Sequence, residues 1–202
     1  MKLFFQYCSY GFSNCYVLGS EDTNTAIIVD PGSIENITLE NIENNNFDLK
    51  AVLITHDHLS HVRGLRTLKR IYNAEVFAVN QSIMDHKTTI VKDSDILNIA
   101  GFRVEVISIP GHSSDSVVYR IGGLLFTGDV LTAGLVGSTA SAYGAATQMD
   151  KLRSRLLSLP GDYVVLPGHG PPSTMEAERR FNTDIFHYDQ NRSKRQPFSV
   201  DI

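Results

Sequence analysis

At four points along the chain a short apolar run stops just before a residue able to hold a metal ion. AVLIT leads into His56, His58 and His61, VISIPG into His112, LLFTG into Asp129, and VVLPG into His169. Apolar runs of this length, bounded by turn residues, read as buried strands. The pattern therefore demands a fold in which several strand ends meet and their loops present reactive groups on a rigid scaffold. Neutral imidazole with carboxylate is the donor set preferred by zinc and also suited to iron or manganese. A lone histidine in such a loop is more often an ordinary polar group than a ligand. Joint appearance at four strand ends is what carries the metal reading.

The rest of the chain supplies the scaffold. LFFQY, CYVL and AIIVD read as strands, followed by a polar helix near residues 34 to 47, with Ile34, Ile37 and Ile42 at roughly helical spacing. After the histidine cluster, Val62, Leu65, Leu68 and Tyr72 predict a helix over 61–72 with Ser60 at its N-cap. EVFAV is a further strand, and FRVEVISI alternates as a half-buried strand should. SVVYRI and LLFTG flank Gly122-Gly123, a two-residue hairpin signal. Met149, Leu152, Leu156 and Leu159 mark a helix, DYVVL a last strand, and residues 174 to 188 a closing helix. Two strand-and-helix halves imply an α/β fold of two facing sheets with helices outside, a four-layer α/β/β/α sandwich. The predicted boundaries are one domain over residues 1–188 and a polar tail over 189–202.

Composition narrows the partners. A chain of 202 residues with 42% hydrophobic content is long enough for one sizeable core and too short for two large domains. A net charge of −4 offers no basic surface for a phosphate backbone, so nucleic acid is not an expected partner. No run approaches the roughly 18 apolar residues of a membrane span. The opening MKLFFQYCSYG lacks the features of an export signal, and Cys8 and Cys15 make no disulfide framework. The expectation is a cytoplasmic protein acting on a small molecule, its oligomeric state open.

These motifs also carry a family resemblance. THDHLSH resembles the T-H-x-H-x-D-H signature of the metallo-β-lactamase superfamily. PGHSSDSV, FTGDVL and LPGHGPPST are similar to its later motifs, in the same order, and Asp30-Pro31-Gly32 looks like its D-P-G turn. The resemblance runs from about Asn14 to Asn182 and is nearest to short glyoxalase II-like members. It implies that His56, His58 and His112 hold a first metal, that His61 and His169 hold a second, and that Asp129 bridges the two. Asp129, His61 and His169 are then the residues expected to carry catalysis. The implied cofactor is zinc, one or two ions, with iron or manganese as alternatives.

Two departures stand out. Ser60 occupies the position where the family has an acid that ligates the second metal, and a neutral hydroxyl is a poor ligand beside carboxylate and imidazole. The second site is therefore expected to be weakened rather than abolished, since three ligands plus water still describe an open zinc site. Asp57 points to the opposite side of an extended loop from its histidine neighbours and is not expected to replace the missing acid. The stretch Gly137-Ser138-Thr139-Ala140 lacks the arginine and acid of the G-R-x-D pattern seen in glyoxalase II-type relatives, which leaves outer-shell support of the metal open. His86 and His187 fall outside the motifs and read as surface residues. Tyr143 and the AGLVGSTASAYG loop are substrate-pocket candidates only because they follow Asp129.

The resemblance implies a metal-dependent hydrolase cleaving a small thioester or ester. The roughly 30 residues after GHGPP are too few for the helical recognition domain of full-length glyoxalase II, so efficient use of glutathione thioesters is not implied. A second reading is a mononuclear iron persulfide dioxygenase using His56, His112 and Asp129 as a facial triad. A third is a non-catalytic metal-binding or regulatory module. Retention of all five motif histidines and Asp129 argues against the third.

Overall fold

The computed structural model describes residues 1–193. The first half runs β1 (Lys2–Tyr7), β2 (Asn14–Ser20), β3 (Thr25–Val29), α1 (Asn36–Glu43), β4 (Asp48–Leu53), α2 (Leu59–Val62), α3 (Leu65–Ile71) and β5 (Glu75–Ala78). Short strands β6 (Ser82–Ile83), β7 (His86–Lys87) and β8 (Thr89–Ile90) follow. The second half opens with β9 (Ile96–Ile99), β10 (Phe102–Ser108), β11 (Val117–Ile121) and β12 (Leu124–Gly128). It continues through β13 (Leu131–Thr132), β14 (Leu135–Val136), α4 (Ala142–Lys151), β15 (Val164–Pro167), β16 (Ser173–Thr174), α5 (Met175–Phe181) and α6 (Thr183–Ser193).

Two six-stranded sheets form, in the orders β1-β2-β3-β4-β5-β8 and β16-β15-β12-β11-β10-β9. Alternation along each strand sends side chains to two different cores. On β2, Tyr16 and Leu18 face the layer between the sheets, where they meet Phe126, Tyr119 and Val104, while Val17 faces α1 and α3 beside Ile42, Leu65 and Leu68. On β12, Phe126 points inward while Leu125 packs outward on Leu152, Leu156 and Met175. One core between the sheets and one under each helical layer make the expected α/β/β/α sandwich. The hairpin signal at Gly122-Gly123 is also met, since Ile121 pairs with Leu124 across it.

Helix boundaries moved where the chain is diverted by tertiary bonds. The helix expected over 61–72 is two pieces. In a continuous helix Gly64 N–H would bond the Ser60 carbonyl; instead it donates to Pro31 O at 2.8 Å, and Ser60 O accepts from Ser13 Oγ at 2.5 Å. A Cβ at Gly64 would lie 2.5 Å from that Pro31 oxygen, so only glycine permits the approach. Ser60 is not the N-cap: α2 starts at Leu59, and His58 takes the cap position with no side-chain hydrogen bond. The helix around Met149 is longer than its apolar periodicity, because Ser141 caps α4 at Gly144 N–H and wider π-type turns extend it over Leu152–Leu157. The closing helix divides at Asn182, whose Oδ1 accepts from Ile185 N–H and so starts α6. That helix continues to Ser193, into the segment expected as a tail; residues 194–202 lie outside the described residues.

The topology brings one set of strand ends together. β3 and β4 are parallel, as are β12 and β15, and β10 shares the direction of β12 through the antiparallel β11. Asp30, Thr55, the His112 loop, Asp129 and His169 therefore leave the sheets at one edge. Backbone hydrogen bonds join the two sheets there, from Val117 N–H to Thr55 O at 2.9 Å and from Asn14 N–H to Gly168 O at 2.7 Å. A register shift between Phe126 and Gly128 bends β12 at its end, where a bulge re-aims the following residue.

Candidate metal centre

Buried tyrosines fix the strand ends from below. Tyr119 OH donates to Ile54 O at 3.0 Å, one residue before Thr55, and Tyr16 OH donates to Pro167 O at 2.7 Å, two residues before His169. Asn14 Nδ2 adds bonds to Pro167 O and Gly170 O at 2.9 and 2.7 Å, so the His169 loop is held on both sides. Gly168 must be glycine, since a Cβ would stand 2.4 Å from Asp129 Oδ1 and 2.6 Å from His61 Cε1.

All six residues predicted as ligands converge. His56 Nε2 and His112 Nε2 each lie 3.0 Å from His58 Nδ1, with Asp129 Oδ2 3.8 Å from His56 Nε2 and 3.6 Å from His112 Nε2. On the other side of the same carboxylate, Asp129 Oδ1 is 2.9 Å from His169 Nδ1 and 3.5 Å from His61 Nε2. His56, His58, His112 and Asp129 form one group that could hold a metal ion, and His61, Asp129 and His169 form another. Donor atoms aimed at one another this closely fit a cation between them. The buried Nε2 of His61, without a hydrogen-bond partner among the described residues, fits the same purpose. A third overlapping group, Asp30, His56 and His61, is fully buried.

The hydrogen bonds behind these rings assign their tautomers. Asp30 accepts from Thr55 N–H through Oδ1 at 2.8 Å and from Thr55 Oγ1–H through Oδ2 at 2.6 Å. With its proton committed, Thr55 Oγ1 accepts from His56 Nδ1–H at 3.1 Å, leaving His56 Nε2 as a free lone pair. Asp30 Oδ2 also accepts from His61 Nδ1–H at 3.1 Å, which frees His61 Nε2. Ser138 O, a carbonyl and so an acceptor only, takes His112 Nδ1–H at 2.8 Å. In metal sites such partners orient the rings and raise ligand basicity. Asp30 and Thr55 in this role escaped the sequence reading, which saw Asp30-Pro31-Gly32 only as a turn. At the stretch that lacks the G-R-x-D pair, a main-chain carbonyl, that of Ser138, supplies the partner for His112.

Electrostatics separate the rings. Burial, then the charge of His61, pushes His56 down to about 3. His58 is lowered by burial and by His112. Burial opposes charge on His61, but the nearby carboxylates of Asp129 and Asp30 prevail and carry it up to about 10. His169 is raised mainly by its bond to Asp129. Asp129 would be raised by burial, yet His169 and His61 hold its carboxyl well below the usual carboxylate range.

The remaining predicted residues fall as follows. Ser60 sits in the first turn of α2, its Cβ 2.6 Å from where a Cβ on Gly11 would stand, and Gly11 O is 3.2 Å from His169 Nε2. Ser60 is thus near the second group. Asp57 is exposed and joins neither group; its N–H donates to Asp115 Oδ2 at 2.9 Å. His187 is exposed and His86 half-buried in β7, neither among the candidate groups. Tyr143 stands 82% exposed in the first turn of α4.

The chain is 33% identical over 157 residues to a hydroxyacylglutathione hydrolase of Chromohalobacter salexigens, covering 76% of this chain and 60% of that one, so it spans less than two thirds of that relative's length. It is 29% identical to the hydroxyacylglutathione hydrolase GloC of Haemophilus influenzae, covering 84% of this chain and 91% of the other. Among solved structures, ETHE1 from Myxococcus xanthus superposes with a TM-score of 0.81 at 25% identity, covering 98% and 93% of the two chains. Residues 9–169, which contain all six converging side chains, match the family model of the metallo-beta-lactamase superfamily, and the chain belongs to that superfamily.

Proposed function

We propose that this protein is a metal-dependent hydrolase, glyoxalase II-like, that cleaves a small thioester or ester. The observation that carries the reading is the carboxylate of Asp129, which offers Oδ2 to the His56, His58 and His112 group and Oδ1 to the His61 and His169 group. A residue so placed would serve two ions at once. His56, His58 and His112 would hold the first ion and His61 and His169 the second, with Asp129 shared. The names of the two relatives above support hydrolysis of an acylated thiol.

A bound zinc ion supplies a water acidified to a pKa of about 7 and an electrophile for the carbonyl under attack. The protein's own residues set the geometry. Asp129, kept anionic by His169 and His61, stays an acceptor throughout the neutral range and orients the attacking water through its proton. Asp30 keeps the Nδ1 protons of His61 and, through Thr55, of His56 pointing away from the reacting carbonyl. Cleavage adds the elements of water across the acyl–sulfur or acyl–oxygen bond, releasing a carboxylic acid and a thiol or alcohol. The centre differs from a symmetric pair in that one group has four donors and the other three, with a neutral hydroxyl at Ser60 where the family has an acid.

A weaker second group also suits a second reading, a mononuclear iron persulfide dioxygenase with His56, His112 and Asp129 as the metal-holding triad, although relatives of that kind commonly keep the acid that Ser60 replaces, so the substitution does not select for it. Elemental analysis of untagged protein, before and after equilibration with excess zinc, together with turnover of a thioester, ester and lactone panel, separates the two. About two zinc or manganese ions per chain with hydrolysis supports the hydrolase. About one non-exchanging iron, with oxygen consumption on glutathione persulfide, supports the dioxygenase. A fully metallated protein that turns over no member of the panel overturns the hydrolase.

A further inference from the structure

Gln148 is a polar side chain where its neighbours are apolar. It lies on α4, is 0% exposed, and is flanked in the helix by Met149 and Leu152 of the core. Its Nε2 donates to two main-chain carbonyls, Val130 O at 3.3 Å and Gly137 O at 3.0 Å. Its Oε1 has no donor among the described residues. The amide orientation is fixed by the two carbonyls, because an oxygen facing them would set acceptor against acceptor. A purely packing position would be served by leucine or methionine and would leave no buried acceptor without a donor.

The two carbonyls belong to one turn that begins and ends at the metal centre. Val130 follows Asp129, and Gly137 precedes Ser138, whose carbonyl takes His112 Nδ1–H at 2.8 Å. Gly137 N–H also bonds Val130 O at 3.3 Å, and a Cβ on Gly137 would fall 1.6 Å from Asp129 O, so the turn closes back on Asp129 itself. The other side of Gln148 presses on the His112 loop. A Cβ on Gly111 would lie 2.4 Å from Gln148 Cβ and 2.9 Å from its Oε1. One side chain therefore touches both the turn that leaves Asp129 and the loop that delivers His112.

We propose that Gln148 is a positioning residue of the candidate centre: its amide clamps the 130–137 turn so that the Ser138 carbonyl faces His112 Nδ1 and holds that ring with Nε2 free. The role rests on the reading of His112 and Asp129 as metal ligands. The main-chain support that Ser138 gives His112 is thus itself set by a residue ten positions further along the chain.

The test is Gln148→Met, which keeps the bulk and removes both N–H donors, compared with Leu152→Ala, which weakens the same helical segment without touching the turn. Long-range proton–nitrogen NMR on the full chain, zinc-loaded and metal-free, reads the His112 tautomer, and zinc competition with a chromophoric chelator reads affinity. Gln148→Met is expected to lose the single Nδ1–H tautomer of His112 in the metal-free protein and to weaken zinc about 10- to 100-fold, the range for outer-shell partners. Leu152→Ala should lower the thermal midpoint and change neither. An unchanged tautomer and affinity in Gln148→Met, with a midpoint loss like that of Leu152→Ala, would overturn the proposal. Should Gln148→Met not fold, proton exchange of the Gln148 side-chain amide in the wild type decides: slow exchange upholds the clamp and rapid exchange refutes it. If the wild type binds no zinc yet the variant still loses the His112 tautomer, the positioning stands and the metal reading alone fails.

Discussion

Asp30 Oδ2 lies 3.1 Å from His61 Nδ1, with both side chains essentially inaccessible to solvent. The same carboxylate accepts two hydrogen bonds from Thr55. One acid, contributed by the turn after β3, therefore sets ring orientation in both candidate metal groups.

Removing that acid should cost metal before it costs fold. Asp30→Ala leaves the Nδ1–H of His61 and the hydroxyl of Thr55 without their buried acceptor, and outer-shell losses of this kind weaken a metal by roughly 10–100-fold. Zinc competition measures this directly. Affinity equal to that of the wild type would remove Asp30 from the centre.

Ser60 and His58 test the ligand sets from opposite sides. His58→Ala should remove most bound metal and activity, because His58 Nδ1 is within 3.0 Å of both His56 Nε2 and His112 Nε2. Ser60→Asp should raise occupancy of the second group by restoring a carboxylate beside the loop that contacts His169. Elemental analysis after dialysis reads both, and unchanged metal content in the two variants sinks the assignment.

The metal-free protein should be most stable near pH 6.5. His56 is depressed to about 3, so between about 3 and 6.5 the unfolded chain binds the extra proton, and stability falls as the pH drops through that window. His61 is raised to about 10, so between about 6.5 and 10 the folded chain holds the extra proton, and stability falls as the pH rises. Thermal melts in chelator across pH 4 to 10 should trace a peak. A midpoint still rising between pH 7 and 9 contradicts the charged His61.

Binding zinc at pH 7.5 should release protons, since His61 must give up the one it holds when metal-free. Calorimetric titrations in two buffers of different ionisation enthalpy report the number released, and identical heats would contradict the prediction.

In the core, Phe126→Ala should destabilise by about 3–5 kcal/mol, the usual cost of truncating a buried phenylalanine. Phe126 is 1% exposed, with its ring 5.5 Å from that of Tyr16. Urea denaturation in the presence of chelator isolates this term from metal binding. A loss below about 1 kcal/mol would mean that the layer between the sheets repacks freely.

By itself the sequence determined the layered fold and the candidate ligand types. Strand period, the Gly122-Gly123 hairpin and the apolar runs ending on histidine or aspartate are local patterns, and local patterns follow from side-chain chemistry at short spacing. His56, His58 and His61 could be read together because six residues hold all three. What joins them to His112, Asp129 and His169 is the parallel direction of β3 with β4 and of β12 with β15, which no local window contains. Three other features were out of reach for the same reason. Ser60 lost its cap because its carbonyl met Ser13, 47 residues away, in place of Gly64. Asp30 became the acceptor for Thr55 and His61 because β3 lies beside β4. Gln148 sits behind the centre because α4 packs across the turn after Asp129, where a buried amide meets carbonyls 11 and 18 residues earlier in the chain. Tertiary structure decided these, since each depends on where an acceptor stands once the two sheets have closed on one another.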